Sequence, residues 1–270
     1  MLPQHNLFRN LDGEIRFFWK LVILFVLWFT IDSGLRWIFS LFLYAHGKTD
    51  FVFFTEGFLT NREGWTIEIS NFIYGISPVI AVAVSVVKLD KKKLSSFCID
   101  SGLVRPKHLF LQIIAGISVG MAAFSIQYFG PILVQSLIVL GSIYEETIQI
   151  LLKPFTYPFS ARPQLLLYIP TRVILPVFAE EIMFRSYIQQ HMIEHKGALK
   201  GVLLATMLFM LLHVFNHDRV TAYIIYDRIF QYIVFCIVGY IYYKRRNFYM
   251  IVTMHGTMNF IIFVFFWKIN

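Results

Sequence analysis

Residues 17–44, FFWKLVILFVLWFTIDSGLRWIFSLFLY, carry three charges in a stretch otherwise almost wholly apolar. About 20 apolar residues suffice to cross the hydrocarbon of a bilayer. This run is longer, so it is expected to tilt, to bend or to pass the interface. A membrane span must satisfy its backbone polar groups internally, which leaves helices as the element for such a run. Further runs recur at 71–87, 108–141, 165–190, 198–217, 221–243 and 248–267. The expected fold is therefore all-α: a polytopic transmembrane bundle of seven spans, or eight if 108–141 holds two. The chain, 1–270, reads as a single integral-membrane domain.

Composition agrees. The chain is 57% hydrophobic and only 15% charged, with a mean hydropathy of +0.64. Soluble domains hold about 45–50% apolar and about 25% charged residues. The first apolar run lacks a small-residue cleavage site and is expected to stay as a signal anchor. The net charge of +8 gathers in Arg9, Arg16 and Lys20, in KLDKKK at 88–93 with Arg105 and Lys107, and in KRRN at 244–247. Such clusters mark cytoplasmic segments rather than nucleic-acid contacts. The expectation is a multi-pass protein of the cell membrane with a cytoplasmic N-terminus, no nucleic-acid partner and the lipid bilayer as its surroundings. Cys98 and Cys236 are too few and too far apart for a disulfide framework or a cysteine zinc site.

Local features sharpen the spans. Asp32 and Arg36, at i,i+4, are expected to pair and so lower the cost of insertion. Residues 45–70 read as a polar loop. The FGP at 129–131 is expected to break or kink its run.

The segment LLLYIPTRVILPVFAEEIMFRSYI, 165–188, poses the functional question. An intramembrane charge costs about 2.5–3.5 kcal/mol at a helix centre on insertion scales. On a helix Glu181 and Arg185 stand at i,i+4 with the acid first, the favourable order. Glu180 lies about 100° away around the axis. One carboxylate is thus neutralised and one is available, as a general base or acid or as a metal ligand. A second pair, Glu145 and Glu146 in YEETIQI, has no basic residue at the matching place and is assigned no chemistry. In FMLLHVF, His213 follows Phe209 by four. In MHGTMNF, His255 and Asn259 share one helical face, and Gly256 is expected to admit a neighbouring backbone. His213 and His217 are also i,i+4, but His217 borders a polar loop. Ionisable groups inside a membrane usually face the bundle interior and one another, so these spans are expected to converge on one polar pocket.

EEIMFR, FMLLH and HGTMN resemble the EExxxR, FxxxH and HxxxN motifs of the CAAX-protease and bacteriocin-processing (Abi) family of intramembrane peptidases. They occur in that family's order across 180–259, and the motif-bearing core spans approximately 165–267. The resemblance implies an intramembrane endopeptidase acting on a membrane-associated peptide or lipidated protein, with a bacterial role in bacteriocin maturation or self-immunity. It also implies that Glu180 activates water assisted by His213, that His255 and Asn259 steady the oxyanion, and that Glu181 and Arg185 support Glu180. A divalent metal such as zinc on Glu180, His213 and His255, and a metal-free glutamate mechanism, are both compatible with these residues. The alternatives are a non-catalytic binding or immunity scaffold and a proton-coupled transporter.

Overall fold

The computed structural model describes residues 7–8, 14–46, 64–104, 107–138, 169–214 and 222–266. Glu145, Glu146 and His217 lie outside them. The described residues fold into helices: α1 (Phe17–Ala45), α2 (Gly64–Lys88), α3 (Leu94–Asp100) and α4 (Leu109–Ile138). Next comes a near-continuous motif helix made of α5 (Leu175–Glu181) and α6 (Gln189–Lys196) with wide π turns at Pro170–Ile174 and Ile182–Ile188. The chain ends in α7 (Ala198–Val214), α8 (Ala222–Arg245) and α9 (Phe248–Phe266). The described residues form an all-α membrane helix bundle. Phe17–Ala45, Glu68–Lys88 and Leu109–Pro131 are long and apolar enough to cross a membrane, and Ala198–His213 and Phe248–Phe263 are shorter apolar helices.

Polarity is arranged as lipid demands. Phe29, Trp37, Phe110 and Leu111 are exposed, while Ser77, Gln127, Arg185, Gln189 and Thr206 are buried. In water the outer surface would be a large apolar patch; in hydrocarbon it costs nothing, and the polar groups find their partners inside.

Two expectations about elements change. Helix α2 begins at Gly64, inside the stretch read as a loop. Its polar first turns are used: Glu68 pairs with Arg172 at 2.5 Å and accepts a hydrogen bond from Thr171. Arg36 pairs with Asp32 at 2.6 Å, as the spacing predicts, and also donates to Ser70 on α2. The FGP does not end a helix, because α4 runs through Pro131. Membrane helices tolerate proline where neighbouring helices support the freed backbone groups, and Gly130 here lies against the Phe230 ring of α8.

A close helix contact also corrects the reading of Gly256, whose added Cβ would meet nothing within 4 Å. The close approach belongs to Gly116 and Gly120 on α4. A Cβ there would fall 2.7 Å from the Met250 carbonyl oxygen and 2.6 Å from that of Met254. This small-xxx-small spacing presses α4 onto α9. Thr253 and Thr257 on the facing side return their hydroxyls to carbonyls of their own helix at 2.7 and 2.8 Å. Helix α9 carries His255, so this seam sets its position. Gly120→Val is expected to force the helices apart at about 1–3 kcal/mol, the usual range for overpacking. Thermal unfolding in detergent checks it, with Gly34→Ala, where nothing lies within 4 Å, leaving the midpoint unchanged.

One end of the bundle is polar. Lys20 donates to Asp90 at 2.7 Å and His191 approaches the same oxygen at 3.2 Å. These contacts join the start of α1, the loop after α2 and the end of the motif helix. Burial alone would raise the Asp90 carboxyl. The hydrogen bonds and charges of His191 and Lys20 outweigh it and hold that group below its ordinary range. The Arg246 carbonyl lies against Gly102 at φ +70°, where a side chain would collide with it.

Candidate active site

The motif helix owes its first wide turn to Pro176. A proline inside a helix cannot donate to residue i−4 and its ring crowds that carbonyl, so the backbone opens into a π turn over Pro170–Ile174 just before it. The second wide turn, Ile182–Ile188, has no proline or glycine and starts directly after the two glutamates. Such π segments are frequent at functional sites.

Glu181 and Arg185 are almost completely buried, at 1% and 0% exposure, beside His255 at 3% and Glu180 at 9%. Arg185 Nε lies 3.3 Å from Glu181 Oε2. Arg185 Nη1 donates to Thr206 of α7 at 3.0 Å and to Gln189 at 3.3 Å. The guanidinium also stands 5.6 Å from the centroids of both Phe209 and Phe235. Gln189 in turn donates to the Gly239 carbonyl at 2.8 Å. A Cβ at Gly239 would come within 2.7 Å of Gln189 Oε1, so that glycine makes room for the cage.

His255 is bracketed by the two carboxylates. Its Nδ1 is 2.8 Å from Glu181 Oε1 and its Nε2 is 3.8 Å from Glu180 Oε2. The rings of Phe235 and Phe209 meet it edge-on, at 4.9 and 5.8 Å. The remaining Glu180 oxygen, Oε1, accepts a hydrogen bond from the Tyr74 hydroxyl at 3.0 Å. One chain of contacts therefore runs Arg185, Glu181, His255, Glu180, Tyr74.

The structure thus brings Glu180, Glu181, Arg185, Phe209 and His255 together. Among the described residues His213 meets this group at Phe209. His213 Nδ1 meets the Phe209 carbonyl oxygen of its own helix at 2.9 Å, and its ring stacks obliquely on Phe209 at 4.5 Å. Phe209 therefore touches both histidines, His213 at 4.5 Å and His255 at 5.8 Å. Asn259 lies one turn beyond His255, half-buried, and has no hydrogen-bond partner among the described residues. Sequence reasoning missed Tyr74, Thr206, Gln189 and Phe235. Gln189 alone carried a local signal, standing four residues after Arg185.

Among the described residues no three His, Cys, Asp or Glu side chains gather as a metal site. The opposed ring nitrogens of His255 face different carboxylates, so one ion cannot take the ring and both acids as ligands. Cys98 and Cys236 are free thiols.

Residues 162–261 match the family of type II CAAX prenyl endopeptidases, Rce1-like. The matched region holds every motif residue from Glu180 to Asn259 and leaves α1, α2 and α4 outside it. The matched family is a protease family, and the likeness covers the C-terminal part of the chain, less than half of its length. No curated protein and no solved structure matches the chain.

Proposed function

We propose that this chain, of the CAAX-endopeptidase family in its C-terminal part, cleaves a membrane-associated peptide or lipidated protein with a water that Glu180 deprotonates. The observation that carries this reading is the division of labour between two adjacent glutamates. Glu181 is committed to Arg185 and to His255 Nδ1. Glu180 has one oxygen on Tyr74 and the other 3.8 Å from His255 Nε2, too far for a hydrogen bond.

The chemistry balances within these groups. Glu180 Oε2 takes a proton from water as the oxygen attacks the peptide carbonyl carbon, and the carbonyl π pair moves onto its oxygen. The Asn259 amide N–H, unpaired among the described residues, donates to that oxyanion. In a dry site one such donor contributes roughly 3–4 kcal/mol. Collapse of the intermediate expels the amine. The proton held by Glu180 reaches it through His255 Nε2, which restores the carboxylate. Glu181 keeps the proton of His255 on Nδ1 and steadies the imidazolium that forms, the part an acid plays behind a catalytic histidine.

Lys20 and Asp90 lie together at one end of the bundle, so the basic start of α1 and the basic loop 88–93 share one side. Positive charge favours the cytoplasm for that side.

The test compares peptide termini in membranes of cells carrying the wild-type chain or Glu180→Gln at matched expression. Termini that require Glu180 are expected, and their sequences distinguish a prenylated protein from a bacteriocin precursor. Identical termini with a persisting cellular phenotype would make the chain a binding scaffold. Loss of proton coupling with substrate still bound would make it a transporter.

A further inference from the structure

We propose that Tyr74, on a helix outside the region that carries the family motifs, is the positioning residue for Glu180. The inference rests on the reading of Glu180 as the base and adds which oxygen acts. The Tyr74 hydroxyl donates to Oε1 at 3.0 Å, while Oε2 is the oxygen that faces His255 at 3.8 Å. A carboxylate held by one oxygen keeps a fixed plane and presents the other oxygen, at a set angle, to a water beside the imidazole. Misplacement of a reacting group by about 1 Å can cost a hundredfold in rate.

The fold holds Tyr74 in register by several independent contacts. Below it, Glu68 of α2 pairs with Arg172 at 2.5 Å and accepts from Thr171, both at the start of the motif helix. Beside it, Gly75 lets α2 lie so close to Leu175 that a Cβ would collide with that side chain. Behind it, the Trp28 ring of α1 stands edge-on at 6.0 Å. Helix α1 is itself tied to α2, because Ser77 donates to Asp32 at 3.2 Å and Arg36 donates to Ser70. The first half of the chain therefore supplies a fixed wall with one hydroxyl aimed at the base.

The experiment uses the full chain in lipid nanodiscs and an internally quenched peptide with a farnesylated Cys-Ala-Ala-Met end, a farnesyl-type terminus. Tyr74→Phe removes one oxygen and leaves the ring against Trp28. Its kcat is expected to fall about ten- to a hundredfold with KM unchanged. In the Glu180→Gln background the same change is expected to cost nothing further, because no carboxylate remains to be positioned. Full activity in Tyr74→Phe, a change confined to KM, or an equal loss in the Glu180→Gln background would overturn the role of Tyr74 while leaving Glu180 as base. A Glu180→Gln chain as fast as wild type, or a wild type inert on this peptide and producing no Glu180-dependent termini, would remove the base and this inference together.

Discussion

His255→Ala is expected to lower turnover by about 10²–10⁴-fold, the range for a group that carries a proton in the transition state. Among the described residues only His255 stands between both glutamates, at 2.8 Å from one and 3.8 Å from the other. His213→Ala is expected to lower it less. Its imidazole meets a carbonyl of its own helix and the flank of Phe209. Initial rates in nanodiscs, each normalised to folded chain, check the pair. Equal losses would bring His213 back beside Glu180 in the substrate-bound state and shift the proton path to it. The resemblance implies the assisting role for His213; the contacts at 2.8 and 3.8 Å set His255 beside the two glutamates.

What the sequence made legible was local. Glu181 with Arg185, and Asp32 with Arg36, each lie one turn apart, and each pair forms. The all-helical membrane fold followed from run lengths and from the absence of water for unpaired backbone groups. Contacts between helices were not legible, because depth and rotation of each span decide them. Tyr74 lies 106 positions from Glu180, on a helix with no motif of its own. Gly256 has the residue type for close packing but faces open space, whereas Gly116 and Gly120 have both the type and the facing helix. The FGP at 129–131 has a helix breaker's composition, yet its neighbours in the bundle carry the helix through. Glu68 and Ser70 looked like loop residues because their partners, Arg172 and Arg36, stand on other helices.

The second large effect is on stability. Arg185→Ala is expected to cost about 3–5 kcal/mol, because it strands the Glu181 charge in a site with almost no exposure. It also removes the guanidinium that lies 5.6 Å from the centroids of both Phe209 and Phe235. Arg185→Lys is expected to recover little, since an ammonium offers neither the planar fork for Thr206 and Gln189 nor the stacked face. Adding Glu181→Gln to an Arg185→Met chain removes both charges and keeps volume, and buried ion pairs replaced in this way are often tolerated. That double variant is expected to unfold near the wild-type midpoint in detergent, scanned at one rate. Its turnover is expected to stay low, because a neutral amide behind His255 no longer steadies the protonated imidazole. Recovery of fold without recovery of rate would separate the two uses of the glutamate pair: Glu181 and Arg185 hold the histidine, and Glu180 works on the water. A double variant no more stable than Arg185→Ala would instead mean that the cage holds the helices together by its hydrogen bonds to Thr206 and Gln189 rather than by charge balance.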